Sequence, residues 1–193
     1  MNDQDKKVIR DTFTAELHIP AVKSKQQILF CPVGLVGAGK TTFTKPISER
    51  LNLLRVSSDE LRKILKESGF DYSPLKEILV SVVSEYVDMG YSIAFDMDCG
   101  NPETKKLIDQ ISHEKGIRSF WVHINSPEEY IVNKLRNHPP TWLSDNPQDM
   151  INNYFAQKEK RLAENTKFDF DFVFDASKPI QEQIDSFITY AKK

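Results

Sequence analysis

The chain has 193 residues, of which 39% are hydrophobic and 28% charged, with a formal net charge of −2. This is an ordinary globular composition, long enough for one domain with an ample core, and the near-neutral charge excludes a broad basic surface for long nucleic acid, leaving only a local groove open. No apolar run is long enough to span a membrane, and residues 1–7 lack the hydrophobic segment of a signal peptide, so a cytoplasmic protein without membrane contact is expected.

In chain order, residues 1–25 are polar, but Ile9, Phe13 and Leu17 recur every fourth position. That predicts a short amphipathic arm lying on the domain, or else a frayed end. The main domain is expected over residues 26–193. An apolar run at 28–33 predicts a buried strand and leads directly into Gly34-x4-Gly39-Lys40-Thr41, the G-x-x-x-x-G-K-[ST] phosphate-binding pattern. Its glycines let the backbone fold tightly enough for successive N–H groups to face one phosphate. Gly37, Ala38 and Thr42 complete the loop, and a helix over 40–51 adds its N-terminal dipole. Lys40 would reach the β- and γ-phosphates, and the Thr41 hydroxyl would hold Mg²⁺. ATP and Mg²⁺ are therefore the expected ligands. Cys31, inside this first strand, and Cys99 show no metal-ligand spacing, and a buried structural thiol is expected at Cys31.

A strand at 53–57 precedes Ser57-Ser58-Asp59-Glu60-Leu61-Arg62 and a helix over 58–68. Asp59 and Arg62 are three apart and share a helix face. A carboxylate beside the phosphate loop can take the proton of an attacking hydroxyl, and the arginine can grip an acceptor phosphate or orient the aspartate. The competing reading is a Ser57/Glu60 capping box, with an acidic first turn that merely complements the dipole. Ser73-Pro74 marks the start of a helix over 74–89. A strand over 91–96 then ends in Asp96, an acidic residue closing an apolar run, which is the pattern that supports Mg²⁺. Asp98, two residues on, is a helper or an acceptor contact. The alternative is that both carboxylates cap the helix over 102–116, which opens with Asn101-Pro102-Glu103.

A strand over 118–124 is followed by Ser126-Pro127-Glu128-Glu129, a capping-box signal for a helix over 126–137. A proline-rich loop over 137–147 containing His138 and Trp142 separates it from a helix over 147–165. This insertion, about 126–165, is either a mobile lid or a rigid surface loop. Arg136, and after it Lys134 and Arg161, are candidate cations for charge that develops on a transferred phosphoryl group, although a solvated surface charge is the commoner fate of such residues. A last strand over 170–175 turns through Asp175-Ala176-Ser177 into a final helix near Pro179, and Ser177 either borders an adenine or N-caps that helix. The strand–helix alternation predicts an α/β fold, a doubly wound parallel sheet of about five strands with right-handed crossovers.

The phosphate loop, Ser57 to Arg62, Ala94-Phe95-Asp96, the Lys134/Arg136 helix and Asp175-Ala176-Ser177 together resemble the small P-loop kinases. These include the kinase domain of phage polynucleotide kinase, the zeta-toxin sugar-nucleotide kinases and chloramphenicol phosphotransferase. The resemblance spans about residues 26–190. It implies a P-loop NTPase kinase-type fold with a helical lid, Asp59 as the acceptor-side general base, Arg62 as its substrate-binding neighbour and Arg136 as the lid cation. The segment after the third strand departs from the pattern. It commonly reads Asp-Ala-Thr/Asn with arginines in the next helix, but here it reads Asp96-Met97-Asp98-Cys99-Gly100-Asn101 with Lys105 and Lys106. The expected activity is transfer of the γ-phosphoryl of Mg-ATP to a hydroxyl of a small metabolite, a nucleotide or a nucleic-acid 5′ end, with small acceptors ranked first. The competing class is a nucleotide-dependent ATPase or switch subunit that binds a partner protein. A GTPase switch is disfavoured because Asn133-Lys134-Leu135-Arg136 lacks the aspartate of Asn-Lys-x-Asp.

Overall fold

The computed structural model describes residues 1–138 and 146–192. Five strands, β1 (Ile28–Val33), β2 (Leu54–Ser57), β3 (Ile93–Asp96), β4 (Arg118–Ile124) and β5 (Phe172–Phe174), pair in the order β2-β3-β1-β4-β5, and every pairing is parallel. The central strand β1 sets Leu29 opposite both Ile93 and Ser119. Its side chains alternate between two cores, as a strand covered on both faces requires. Leu29, Cys31 and Val33 enter one apolar cluster, and Phe30 enters the other.

The first cluster is closed by α1 (Asp3–Glu16), α3 (Ser58–Glu67), α4 (Leu75–Asp88) and α5 (Pro102–Lys115). The second is closed by α2 (Lys40–Leu51), α6 (Glu128–Asn137), α7 (Pro147–Asn165) and α8 (Ile180–Ala191). The expected doubly wound parallel sheet is thus the observed fold. Its strand order reverses around β1, which leaves a crevice at the carboxyl ends of β1 and β3.

The N-terminal segment is ordered helix rather than a frayed end. A reciprocal capping box between Asn2 and Asp5 starts α1, and Ile9 and Phe13 are buried in the first cluster. Burying one such phenylalanine contributes about 1.5–3 kcal/mol. Lys6–Glu77, at 2.8 Å, and Arg10–Glu85 tie α1 to α4.

Several boundaries differ from the sequence expectation: β5 spans only Phe172–Phe174 rather than 170–175, β2 starts at Leu54, and two further differences have local reasons. β3 begins at Ile93 rather than 91 because Gly90 (φ 87°) closes α4 and the Tyr91 N–H donates back to the Tyr86 carbonyl at 2.9 Å. Ser126 does not form the predicted capping box. α6 starts after Pro127 with no side-chain cap, because the buried Ser126 hydroxyl is engaged elsewhere. Residues 139–145, including Trp142 and most of the loop expected between α6 and α7, lie outside the described residues. Among the described residues no helix is long and apolar enough to cross a membrane.

Candidate active site

The loop after β1 has the shape its glycines demand. Gly37 and Gly39 adopt positive φ (77° and 106°), and Gly39 is the residue from which α2 starts. A Cβ on Gly34 would stand 2.7 Å from the Ile124 carbonyl oxygen, so that position also has no room for a side chain. Both ends of the loop are tethered. The Gly34 N–H faces Asp98 Oδ1 at 3.4 Å. At the other end, Ser126 Oγ donates to the Ala38 carbonyl at 2.8 Å and accepts from the Ala176 N–H at 2.9 Å. One buried hydroxyl therefore joins the phosphate loop to the turn after β5.

Lys40 Nζ donates to the Gly34 and Leu35 carbonyls, each at 2.9 Å. Burial lowers its pKa from 10.5 to about 8; Asp59 and Asp96 favour the charged form, and Arg161 opposes it. These four charged residues, from α2, α3, β3 and α7, therefore share one electrostatic neighbourhood. Thr41 Oγ1 donates to Asp96 Oδ1 at 2.9 Å. A hydroxyl and a carboxylate oxygen placed together form the hard-oxygen pair that suits Mg²⁺, so the residues present fit the ion.

The other oxygen of Asp96 is held by Arg55 on β2, whose Nε lies 2.8 Å from Asp96 Oδ2. Arg55 also donates to Glu60 Oε1 at 2.8 Å. Burial works against the Arg55 charge, but Asp96 and Glu60 outweigh it and raise its pKa. Sequence reasoning missed Arg55. The available signal was a guanidinium among the otherwise buried residues of a short edge strand, where a half-buried charge calls for a partner. The pairing also diverts Glu60. Ser57 Oγ caps α3 by accepting from the Glu60 N–H at 3.4 Å, but the Glu60 side chain goes to Arg55.

A cavity of about 550 Å³ runs from the loop across the ends of β1 and β3. Gly34, Lys40, Thr41, Asp59, Arg62, Asp96, Asp98 and Arg161 all line it. Arg62 Nη1 donates to Asp59 Oδ1 at 2.7 Å and to Ser58 Oγ at 3.0 Å, so the two residues predicted to share a face do pair. Asp98 accepts from the Gly34 and Gly100 N–H groups and pairs with Arg161. Met150, Asn153, Gln157 and Arg161 present one face of α7 to the cavity.

Other candidates sit differently. Arg136 is exposed on α6 and does not line the cavity. Lys134 on the same helix is half-buried with Nζ 3.5 Å from Thr42 Oγ1, and burial and the nearby Lys40 lower its pKa. Ser177 is exposed, and both its N–H and its hydroxyl donate to Asp175 Oδ1 (2.9 and 2.6 Å). Ala176 next to it packs against Gly39. Cys31 and Cys99 are both buried; burial and Cys31 raise the Cys99 pKa, which matches a structural thiol.

Residues 29–171 match a sequence family described as an AAA domain. No curated protein sequence matches the chain. Among solved structures, the Mycobacterium tuberculosis APS kinase CysC in complex with AMPPNP and APS is 19% identical with a TM-score of 0.58, covering 88% of this chain and 100% of its own. A structure from the PezAT toxin–antitoxin system of Streptococcus pneumoniae is 18% identical with a TM-score of 0.63, covering 93% of this chain and 80% of its own. Shikimate kinase from Aquifex aeolicus is 15% identical with a TM-score of 0.53, covering 86% of this chain and 96% of its own. The likeness bears out the fold expected of a small P-loop kinase.

Proposed function

The chain belongs to the AAA-domain family, and on that premise we propose that it is an ATP-dependent kinase. It would transfer the γ-phosphoryl of ATP to a hydroxyl of a small metabolite, a nucleotide or a nucleic-acid 5′ end. The observation that carries this reading is Asp59. Its carboxylate lines the same cavity as the phosphate loop, and its charge acts on Lys40. A carboxylate in a cavity large enough for a second substrate can take the proton of an acceptor hydroxyl as well as of water.

In the transfer step the acceptor oxygen bonds to the γ-phosphorus. The bond from that phosphorus to the bridging β–γ oxygen breaks, ADP leaves with the electron pair, and the hydroxyl proton passes to Asp59. Backbone N–H groups of the loop and Lys40 hold the phosphates. Thr41 and Asp96 would hold Mg²⁺, which when bound would neutralise charge on the phosphate oxygens. Arg55 is the positioning residue for Asp96, and Asp98 keeps Arg161 at the cavity wall. Arg161 and Lys134, rather than the exposed Arg136, take the part of the cation that meets developing charge. The Ala176–Ser177 turn, packed on Gly39, belongs to the adenine side. The fold neighbour solved with AMPPNP and APS supports a nucleotide at this loop.

The test is labelled ATP and Mg²⁺ with a panel of nucleosides, sugar nucleotides, 5′-hydroxyl oligonucleotides and simple alcohols. Label appearing in an acceptor is the expected result. Hydrolysis that ignores every acceptor and responds only to a partner protein would replace the kinase with a switch.

A further inference from the structure

The half of the cavity away from the phosphate loop has a wall that says what it accepts. Its sides come from α4 and α5: Leu75, Leu79, Val80 and Val83 face Leu107 and Ile108. Phe95 and Met97 border it at the end of β3. Thr104, Asn153 and Gln157 add neutral polar groups to the lining, and the charged groups cancel. Among the described residues the cavity is lined by Lys40, Arg62, Lys76 and Arg161, and by Asp59, Asp96, Asp98 and Glu103. On the acceptor side Arg62 is paired with Asp59 at 2.7 Å and Lys76 with Glu103 at 2.5 Å. Arg161 is paired with Asp98 and with Glu164.

The helix ends offer no substitute. α3 is capped by Ser57 and carries Asp59 and Glu60 in its first turn. Asn101 Oδ1 accepts from the Glu103 and Thr104 N–H groups at the start of α5, and Glu103 lies in its first turn. An anionic group entering here would meet engaged donors and resident carboxylates rather than a free arginine fork or an open helix N-terminus. It would also lose hydration against aliphatic side chains.

We propose that this half of the cavity receives a neutral alcohol with an apolar body, whose hydroxyl reaches Asp59 while the remainder packs between α4 and α5, and that it discriminates against phosphorylated and carboxylate-bearing acceptors. This rests on the kinase reading above and narrows its acceptor. The half-buried Leu107 on α5 and Val80 on α4 are the specificity-determining residues, because the apolar body would pack against them.

A matched pair of fluorescent probes tests this without a known acceptor. N-phenyl-1-naphthylamine is neutral, and 8-anilinonaphthalene-1-sulfonate adds one negative charge to nearly the same skeleton. With the full chain saturated by AMPPNP and Mg²⁺, the neutral probe is expected to bind at least about tenfold more tightly, since an unpaired buried charge is the costlier guest. Leu107→Asn and Val80→Asn should each weaken the neutral probe several-fold, because both remove apolar contact area. Glu103→Gln, by freeing Lys76, should narrow the gap between the probes. Circular dichroism of each variant checks the fold. Equal or tighter binding of the sulfonate, or neutral-probe binding that ignores both substitutions in folded variants, overturns the proposal. Failure of the kinase reading looks different: AMPPNP does not bind, or no acceptor of any charge is labelled, whatever the order of the probes.

Discussion

The two halves of the cavity are built by different means. The nucleotide half rests on the backbone shape of one loop, with Gly37 and Gly39 at positive φ and a hydroxyl tether at the Ala38 end, and this loop sets Gly34, Lys40 and Thr41 at the cavity. The acceptor half is made of side chains projecting from α3, α4, α5 and α7. Backbone geometry tolerates few residue types, since a Cβ on Gly34 would collide with the Ile124 carbonyl, whereas an aliphatic wall accepts any set of leucines and valines that fills the space. The first half therefore announces its ligand, and the second can change its ligand without disturbing the fold.

Substitutions in the nucleotide half should be the most severe. Lys40→Ala should lower kcat by roughly a hundred- to a thousandfold if, as proposed, its ammonium leaves the Gly34 and Leu35 carbonyls for the transferring phosphoryl. A variant with normal turnover would dissolve the distinction between the halves. Asp59→Asn, at the boundary, should lower kcat on the order of a hundredfold, with a far smaller change in the Kd for ATP when measured at a pH well below the Lys40 pKa of about 8. Its Tm should barely move, because a half-exposed pair with Arg62 contributes no more than about 1 kcal/mol. Wild-type kcat in that variant would reduce Asp59 to a helix-start residue.

Asp96→Asn should raise the Mg²⁺ concentration for half-maximal rate by roughly tenfold. If Asp98→Asn shows that shift instead, the ion's carboxylate lies two residues along. A gentler probe is pH. Lys40 in the free protein loses its proton near 8 because of burial. Affinity for AMPPNP should hold below that point and fall as pH rises through it, and Lys40→Arg should flatten the profile, since a guanidinium stays charged. A wild-type profile that stays level to pH 10 would mean that the backbone alone binds the phosphates. The smallest effect is expected at Arg136→Ala. Exposed and away from the cavity, it should change kcat by no more than about twofold, whereas Lys134→Ala should cost more; the reverse ranking would restore Arg136 as the lid cation.

How much was legible in the sequence follows the same division. Gly34, Gly39, Lys40 and Thr41 stand at a spacing that serves one geometry, and Asp96 closes an apolar run that serves one sheet position. Asp59 and Arg62 were legible because a three-residue interval fixes a shared helix face. Ser126 was misread because Ser-Pro-Glu-Glu is also a good local capping signal, and only its burial between two distant backbone segments gives the hydroxyl another use. Arg55 needed a partner 41 residues away. The α7 face of Met150, Asn153, Gln157 and Arg161 has helical spacing, but nothing local distinguishes it from a face turned to solvent. The apolar acceptor wall was the least legible, since Leu79 and Ile108 look like any core residues until the space between them is seen.

The Ser126 hydroxyl also bears on how the molecule breathes. Its single hydrogen goes to the carbonyl of Ala38 while its lone pair receives the amide of Ala176, so two stretches of chain more than a hundred residues apart hang on one rotor. Local opening is cooperative over groups that share such a contact. The rim where a purine would rest and the cradle where its phosphates would rest are therefore expected to open together, which amide exchange at both would show. A nucleotide that gripped only one end would slow amide exchange at both.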